Sequence, residues 1–386
     1  MNQFLLTLMM MVAALSGRAQ MCVSFPMQPP NPQDEPLNQV EPGYLLGNDC
    51  GSVFVKIKYH ILTDGTSSTF FANQKARLNL GILKATQTFL EHDIFLHTAA
   101  IDSFYVGEPY IDSLRLTGSP AGYIIGNNLT ANWFLPIADV ETDYLHVFIG
   151  PNTGSGVGMS AHRRNFIYVQ GETIYANYIE DYTIAHEIGH SLGLNHTFET
   201  WNNPALADTF GTNCLSRGDL VCDTPPDFLP GGTVHPMDMV NANCDYVGSP
   251  LVPGSLLFSP LTNNIMSYYE GCLESFTNGQ GERARKALEH GISSIGNTIN
   301  YSFAIVGVRN SLVDLEFNTS FEVPAGKKLY MNRNIVVNTG SVLTIRGKLL
   351  MGPNKNITVF PGGKLIVDGG EINLFDDDQL NPCLAS

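Results

Sequence analysis

The sequence predicts an α+β domain, a twisted mixed sheet with helices packed on it and a loop-rich lower part, followed by an all-β, solenoid-like C-terminal module. Three observations carry this expectation. Strand and helix periodicities alternate from about residue 53 to residue 194. Pro, Gly, Asn and Asp then replace regular patterning from residue 197 to residue 265. Beyond residue 303, short alternating strands punctuated by glycine recur at a fixed offset.

Taken in order, the amino terminus opens on an apolar run from Phe4 to Leu15, with small residues and Gly17-Arg18-Ala19 before Gln20. This reads as a signal peptide over residues 1–19, although no Lys or Arg precedes the run. The chain is therefore expected to be secreted or extracellular, with the cell surface as a variant. Cys22 suits a lipoprotein anchor poorly, because Met21 stands where processing wants a small residue. Residues 20–50, rich in Pro, Asn and Gln, read as a linker or short pro-segment.

Residues 51–300 are expected to form the first folded unit. Val53, Val55, Ile57 and Tyr59 alternate as a strand, and Ala72 to Glu91 carries apolar residues at helical spacing. Ile94 to Phe104, Tyr144 to Ile149 and Phe166 to Val169 read as further strands, and Thr183 to Leu194 as a helix. A last helix spans Ser275 to Gly291, with Arg283, Lys286 and Glu289 expected outside and Ala284, Ala287 and Leu288 inside. Residues 301–386 are expected to form a β-rich repeat module. Gly340 to Gly347 aligns with Gly362 to Gly369, and Pro324 to Lys327 resembles Pro361 to Lys364. A β-sandwich is the alternative. The run to Ser386 shows no obvious cap, which fits a piece of a longer protein.

Composition excludes several functions. With 386 residues, more than one core is expected. Acidic residues outnumber basic ones 36 to 21, for a net charge of −15. No basic excess exists to neutralise nucleic-acid phosphates or to hold an anionic membrane surface. Charged residues make up 15%, against about 25% in an average domain. No interior stretch is long and apolar enough to span a bilayer.

One segment concentrates chemistry: His186-Glu187-Ile188-Gly189-His190, continuing through Gly193 to His196. Histidines four apart on a helix project from one face, the spacing that lets two imidazoles reach one zinc ion. Glu187 lies beside the first ligand, where a carboxylate reaches a metal-ligated water without itself coordinating. Gly193 ends the helix, since glycine takes a left-handed C′ conformation without strain. The chain then turns to bring in His196. Three protein ligands leave one position open, which is the catalytic zinc arrangement. The other histidines, His60, His92, His97, His146, His162, His235 and His290, show no such grouping.

This eleven-residue pattern resembles that of the metzincin zinc metalloproteases, whose methionine turn is matched by Asn264-Ile265-Met266-Ser267-Tyr268. Within them the resemblance narrows to the pappalysin group through three stretches: His190 to Phe198, Gly218 to Pro225, and Asn264 to Gln280. It is loose over residues 50 to 295 and close over those three. The resemblance implies a metzincin-like catalytic domain and a zinc endopeptidase acting on proteins or peptides, with Glu187 as general base. It further implies that Met266 floors the zinc, that Tyr268 stabilises an oxyanion, and that Asp219 and Thr224 bind calcium, whose hard oxygen ligands they would be. A further acidic calcium ligand is not obvious, because Pro225 and Pro226 intervene before Asp227.

Four cysteines of the lower region, Cys214, Cys222, Cys244 and Cys272, allow three pairings from sequence alone. The resemblance favours Cys244 with Cys272 and Cys214 with Cys222. Of the remaining Cys22, Cys50 and Cys383, Cys22 is a candidate thiolate that silences a pro-form on the zinc, with an ordinary disulfide or free thiol as the rival. The strand Phe166 to Val169, with the Gly-rich run before it, is the candidate edge for pairing with an extended peptide, and Glu270 a candidate for favouring Arg or Lys after the cleaved bond. Of five Asn-x-Ser/Thr triplets, Asn195-His196-Thr197 lies inside the zinc motif, where a glycan would obstruct the site. The alternative function is a surface-binding or adhesive protein, with surface or matrix contact through the C-terminal module.

Overall fold

A computed structural model describes residues 53–63, 68–105, 144–150, 158–160, 166–170, 182–199, 214, 217–227, 236–248, 259–269, 271–290, 293–294, 297–298, 304–305, 314–331, 334–352 and 354–374. The signal peptide, the linker, Cys22, Cys50, Cys383, His162, His235 and Glu270 lie outside these residues.

β1 (Val53–Thr63) leads into α1 (Ser68–Leu90), which returns to β2 (Ile94–Tyr105). β3 (Leu145–Gly150), β4 (Gly158–Ser160) and β5 (Phe166–Gln170) follow, then α2 (Thr183–Ser191) and α3 (Asn278–His290). The strands order as β2-β1-β3-β5-β4. Along this order all pairs are parallel except β4 with β5, which run antiparallel with Met159 opposite Tyr168. The sheet is thus mixed, as the strand and helix alternation implies. Among the described residues its outer strand on the β5 side is β4, at the end of the Gly-rich run, while Phe166 to Val169 lies in β5, which is paired on both sides.

Period-two alternation sets the faces. Val55, Ile57, Tyr59 and Ile61 of β1 join Leu145, Val147, Ile149, Ile167 and Val169 in one core with Leu78, Ile82 and Phe89 of α1 and Ile184 and Ile188 of α2. The intervening residues are buried as well, which the sequence does not announce: Lys56, His60 and His146 are nearly inaccessible. His60 and His146 form a pair, Nε2 to Nδ1 2.9 Å, with His60 stacked on Phe148. Two of the histidines read as ungrouped are therefore partners across neighbouring strands.

After α3, short strands β6 (Ser293–Ser294) and β7 (Asn297–Thr298) form a hairpin, and β8 (Ala304–Ile305) adds antiparallel to β1. The C-terminal module then repeats one unit three times: β9 (Leu315–Phe317), β10 (Phe321–Val323) and β11 (Lys328–Met331); β12 (Ile335–Val337), β13 (Val342–Ile345) and β14 (Lys348–Met351); β15 (Ile357–Val359), β16 (Lys364–Val367) and β17 (Glu371–Leu374). Equivalent strands stack in parallel as three sheets, β9-β12-β15, β10-β13-β16 and β11-β14-β17. Val342 sits beside Lys364, the offset seen between the Gly340 and Gly362 segments. The likeness of Pro324–Lys327 to Pro361–Lys364 does not mark equivalent corners, however. The first links β10 to β11 beneath Gly347, whose N–H donates to Val323 O; the second links β15 to β16. The first unit packs against α1, and Lys327 Nζ donates to Glu91 O at 2.7 Å. On the last unit, Phe360, Ile366, Val367, Ile372 and Leu374 are exposed.

Candidate active site

α2 carries His186, Glu187 and His190, all buried. Its C-terminus closes with Gly193 N donating to His190 O at 3.0 Å and Leu194 N to Gly189 O at 2.9 Å. This bond pair is a Schellman motif, which requires a left-handed C′ residue. Gly193 supplies it at φ 83°. Arg283 of α3, read from sequence as exposed, is instead almost wholly buried and donates from Nε to Gly193 O at 2.8 Å. Its long side chain reaches under α2 to hold the turn that leads to His196.

The three imidazoles meet through their Nε2 atoms, 3.1 Å between His186 and His190, 3.3 Å between His186 and His196, and 3.0 Å between His190 and His196. Tetrahedral Zn–N bonds of about 2.0–2.1 Å place ligand nitrogens about 3.3 Å apart, so these rings can share one ion. Each ring is oriented through its other nitrogen. His186 Nδ1 bonds Ile265 O at 2.6 Å and His190 Nδ1 bonds Leu194 O at 2.8 Å. His196 Nδ1 faces Glu199 Oε2 at 3.3 Å, a carboxylate whose part sequence reading missed although it lies in the same stretch. Burial, then the neighbouring His196, pulls His186 down to about 3, which keeps this ring neutral as a metal ligand must be. Among the described residues, this is the only group of three His, Cys, Asp or Glu with that convergence.

Beneath the triad lies the methionine turn. Asn264 Oδ1 accepts from Met266 N at 2.9 Å, and the Asn264 side chain exchanges hydrogen bonds with that of Gln280 on α3. Met266 is fully buried under α2, close enough that a Cβ on Gly189 would lie 2.8 Å from its Sδ. Thr197 N donates to Met266 O at 3.2 Å, tying the turn to the third-ligand segment. Tyr268 sets its ring edge-on to His196, centroids 4.9 Å apart, and Phe198 stacks on that imidazole at 4.8 Å and meets Tyr268 edge-on at 4.6 Å, so the three rings form one cluster. Asn195 is buried, and its Nδ2 donates to Asp219 O, leaving no room for a glycan.

Disulfides join Cys214 to Cys222 and Cys244 to Cys272. Asp219 is buried, which pushes its carboxyl well above the usual range; Oδ1 accepts from Val221 N at 3.1 Å and the Thr224 hydroxyl bonds the same carboxyl. Among the described residues, Asp219 Oδ2 has no hydrogen-bond partner. An orphaned buried oxygen beside a threonine hydroxyl suits a hard cation. Asp227 does not join them, being bonded instead to Thr197, Ser267 and Tyr269.

A buried helix bearing two histidines and a glutamate, a third histidine after a glycine turn, and a methionine beneath them define the metzincin class of zinc metalloprotease domain. Residues 149–289 match the family model Peptidase_M43, described as Pregnancy-associated plasma protein-A. Residues 149–289 thus resemble the pappalysin-type metalloproteases over a little more than a third of the chain. The chain is 33% identical over 101 residues to Extracellular metalloprotease 1 of Coccidioides posadasii, covering 26% of this chain and 28% of that protein. It is 25% identical over 238 residues to an Extracellular metalloprotease of Colletotrichum graminicola, covering 60% of this chain and 75% of that one. Of solved structures, metalloproteinase-II from Bacteroides fragilis aligns at 14% identity over 37% of this chain and 43% of that chain, but with a TM-score of only 0.20. The matches with the fungal relatives span between 28% and 75% of those proteins' lengths.

Proposed function

We propose that the chain is an extracellular zinc endopeptidase. The observation that carries this reading is the meeting of three Nε2 atoms within 3.0–3.3 Å, each ring fixed through its Nδ1. His186, His190 and His196 would hold a zinc ion, which would supply Lewis acidity to make a water more acidic and to polarise a carbonyl. Glu187, next to the first ligand on the same helix, takes a proton from the attacking water and gives it to the departing amine. Tyr268, against His196, stabilises charge developing on the carbonyl oxygen. β4, at the end of the Gly-rich run and outermost among the described residues, packs against α2 and would align an extended peptide by backbone pairing, so within the expected edge the pairing strand is β4 rather than β5. The names of the fungal relatives support an extracellular setting, and among the described residues no helix is long and apolar enough to cross a membrane.

Calcium at Asp219 and Thr224 belongs to the proposal, supported by the orphaned Asp219 oxygen. So does the division into residues 51–300 and 301–386, with the second part a β-solenoid of attachment or delivery, a reading supported by its strand stacking. The adhesive alternative has no observation in its favour, since the catalytic set is complete. The test is cleavage of a denatured protein by wild type and by Glu187→Gln, with and without a zinc chelator. Wild-type cleavage that chelation abolishes and that the zinc-loaded variant lacks supports the proposal. Equal turnover by the two proteins contradicts it.

A further inference from the structure

Asp227 is a buried carboxylate that gathers three hydroxyl donors: Thr197 Oγ1 at 2.5 Å, Ser267 Oγ at 2.9 Å and Tyr269 Oη at 2.7 Å. The positions of these donors along the chain give the cluster its interest. Thr197 directly follows His196, the third zinc ligand. Ser267 and Tyr269 stand on either side of Tyr268. One side chain thus grips the segment of a metal ligand and both flanks of the aromatic beside it.

We propose that Asp227 is a positioning residue, a clasp that fixes His196 and Tyr268 relative to one another; this rests on the zinc-hydrolase reading above. A carboxylate only accepts hydrogen bonds, so three hydroxyls that would otherwise rotate among partners are held pointing at one group. Bonds to an ionised acceptor are shorter and stronger than neutral ones, and a buried hydroxyl left without an acceptor carries the full desolvation cost. Tyr269 is a fixed donor in this arrangement: burial first, and Asp227 second, push its phenol far above the ordinary tyrosine range. The backbone bond from Thr197 N to Met266 O already lays the two segments side by side. Asp227 adds side-chain bonds on both of them, so a small slide of either segment breaks bonds on both.

The experiment compares wild type with Asp227→Asn, which keeps the shape and turns one acceptor into a donor. Zinc affinity is read by competition with a chromophoric chelator, and kcat and KM are measured on a peptide substrate. Urea unfolding of each metal-free chain measures stability alone. Partners outside the ligand shell typically change metal affinity by about 10–100-fold, and Asp227, acting through a neighbour, is expected at about tenfold, with kcat reduced and KM unchanged. Ser267→Ala and Tyr269→Phe, each removing one donor, should move zinc affinity and kcat the same way by less, and they carry the test should Asp227→Asn fail to fold. A purely structural role lowers the urea midpoint while leaving the zinc affinity and kcat of the folded variants at wild-type values; that result overturns the clasp. Wild type that binds no zinc overturns the hydrolase reading and the clasp with it, whereas an active, zinc-loaded wild type with indifferent variants overturns the clasp alone.

Discussion

Replacing Gly189 by alanine sets two effects of opposite sign against each other. Within a helix, Gly→Ala is ordinarily stabilising by about 1 kcal/mol. Here the new Cβ would stand 2.8 Å from Met266 Sδ, 3.3 Å from Leu194 Cδ1 and 3.5 Å from Phe276 Cζ. Carbon and sulfur in contact prefer about 3.5–4.0 Å, so the thioether must retreat by about 1 Å. Met266 and its surroundings are buried, which leaves little room for that retreat. Overpacking of this kind costs about 1–3 kcal/mol, so the net change runs from neutral to about 2 kcal/mol of destabilisation. Because the displaced side chain lies under the triad, zinc affinity should fall as well. Urea unfolding of the metal-free variant, paired with a zinc titration, measures both. A gain of about 1 kcal/mol with unaltered zinc affinity would refute the idea that the methionine bears on α2.

Other perturbations have equally definite outcomes. Glu199→Gln removes the charge facing His196 Nδ1 and should weaken zinc binding about tenfold, measured by chelator competition. Gly193→Ala forces a side chain into φ 83° and should cost about 1–2 kcal/mol in urea unfolding, with loss of zinc as His196 swings away. Burial, reinforced by Lys327, holds His92 at about 4 rather than 6.5, against a weaker opposing pull from Asp223. The unfolded chain therefore accepts a proton that the folded chain resists, so this contribution is complete above about pH 6.5 and falls as pH drops toward 4, by about 3 kcal/mol. His92→Gln should flatten the urea midpoint against pH across that window. Dialysis against a chelator should abolish hydrolysis, and added zinc should restore it.

The parts of the site legible in sequence are those encoded by local spacing. His186 and His190 share a helix face, Gly193 must turn the chain, and His196 follows at a short offset, so the triad needs no knowledge of distant contacts. The glycine-punctuated strands are legible for the same reason. The first repeating unit is not, because its corner spacing differs and Pro324–Lys327 points to the wrong corner. What sequence hides is contact between segments far apart in the chain. Arg283 looks like a surface residue of an amphipathic helix until its guanidinium is found against Gly193 O. His60 and His146 meet only because β1 and β3 are neighbours. Asp227 follows a proline pair like any loop acid, and nothing nearby announces its three hydroxyl donors. The three-residue edge strand β4 is too short to show alternation at all.

The central claim is that three imidazoles grip one zinc ion and leave one position open. X-ray absorption at the zinc edge, on protein loaded with one equivalent, tests this most directly. The account predicts three imidazole nitrogens and one oxygen at about 2.0–2.1 Å, with one imidazole lost in His196→Ala. A site with fewer than three imidazoles in wild type, or one unchanged by that substitution, would contradict it.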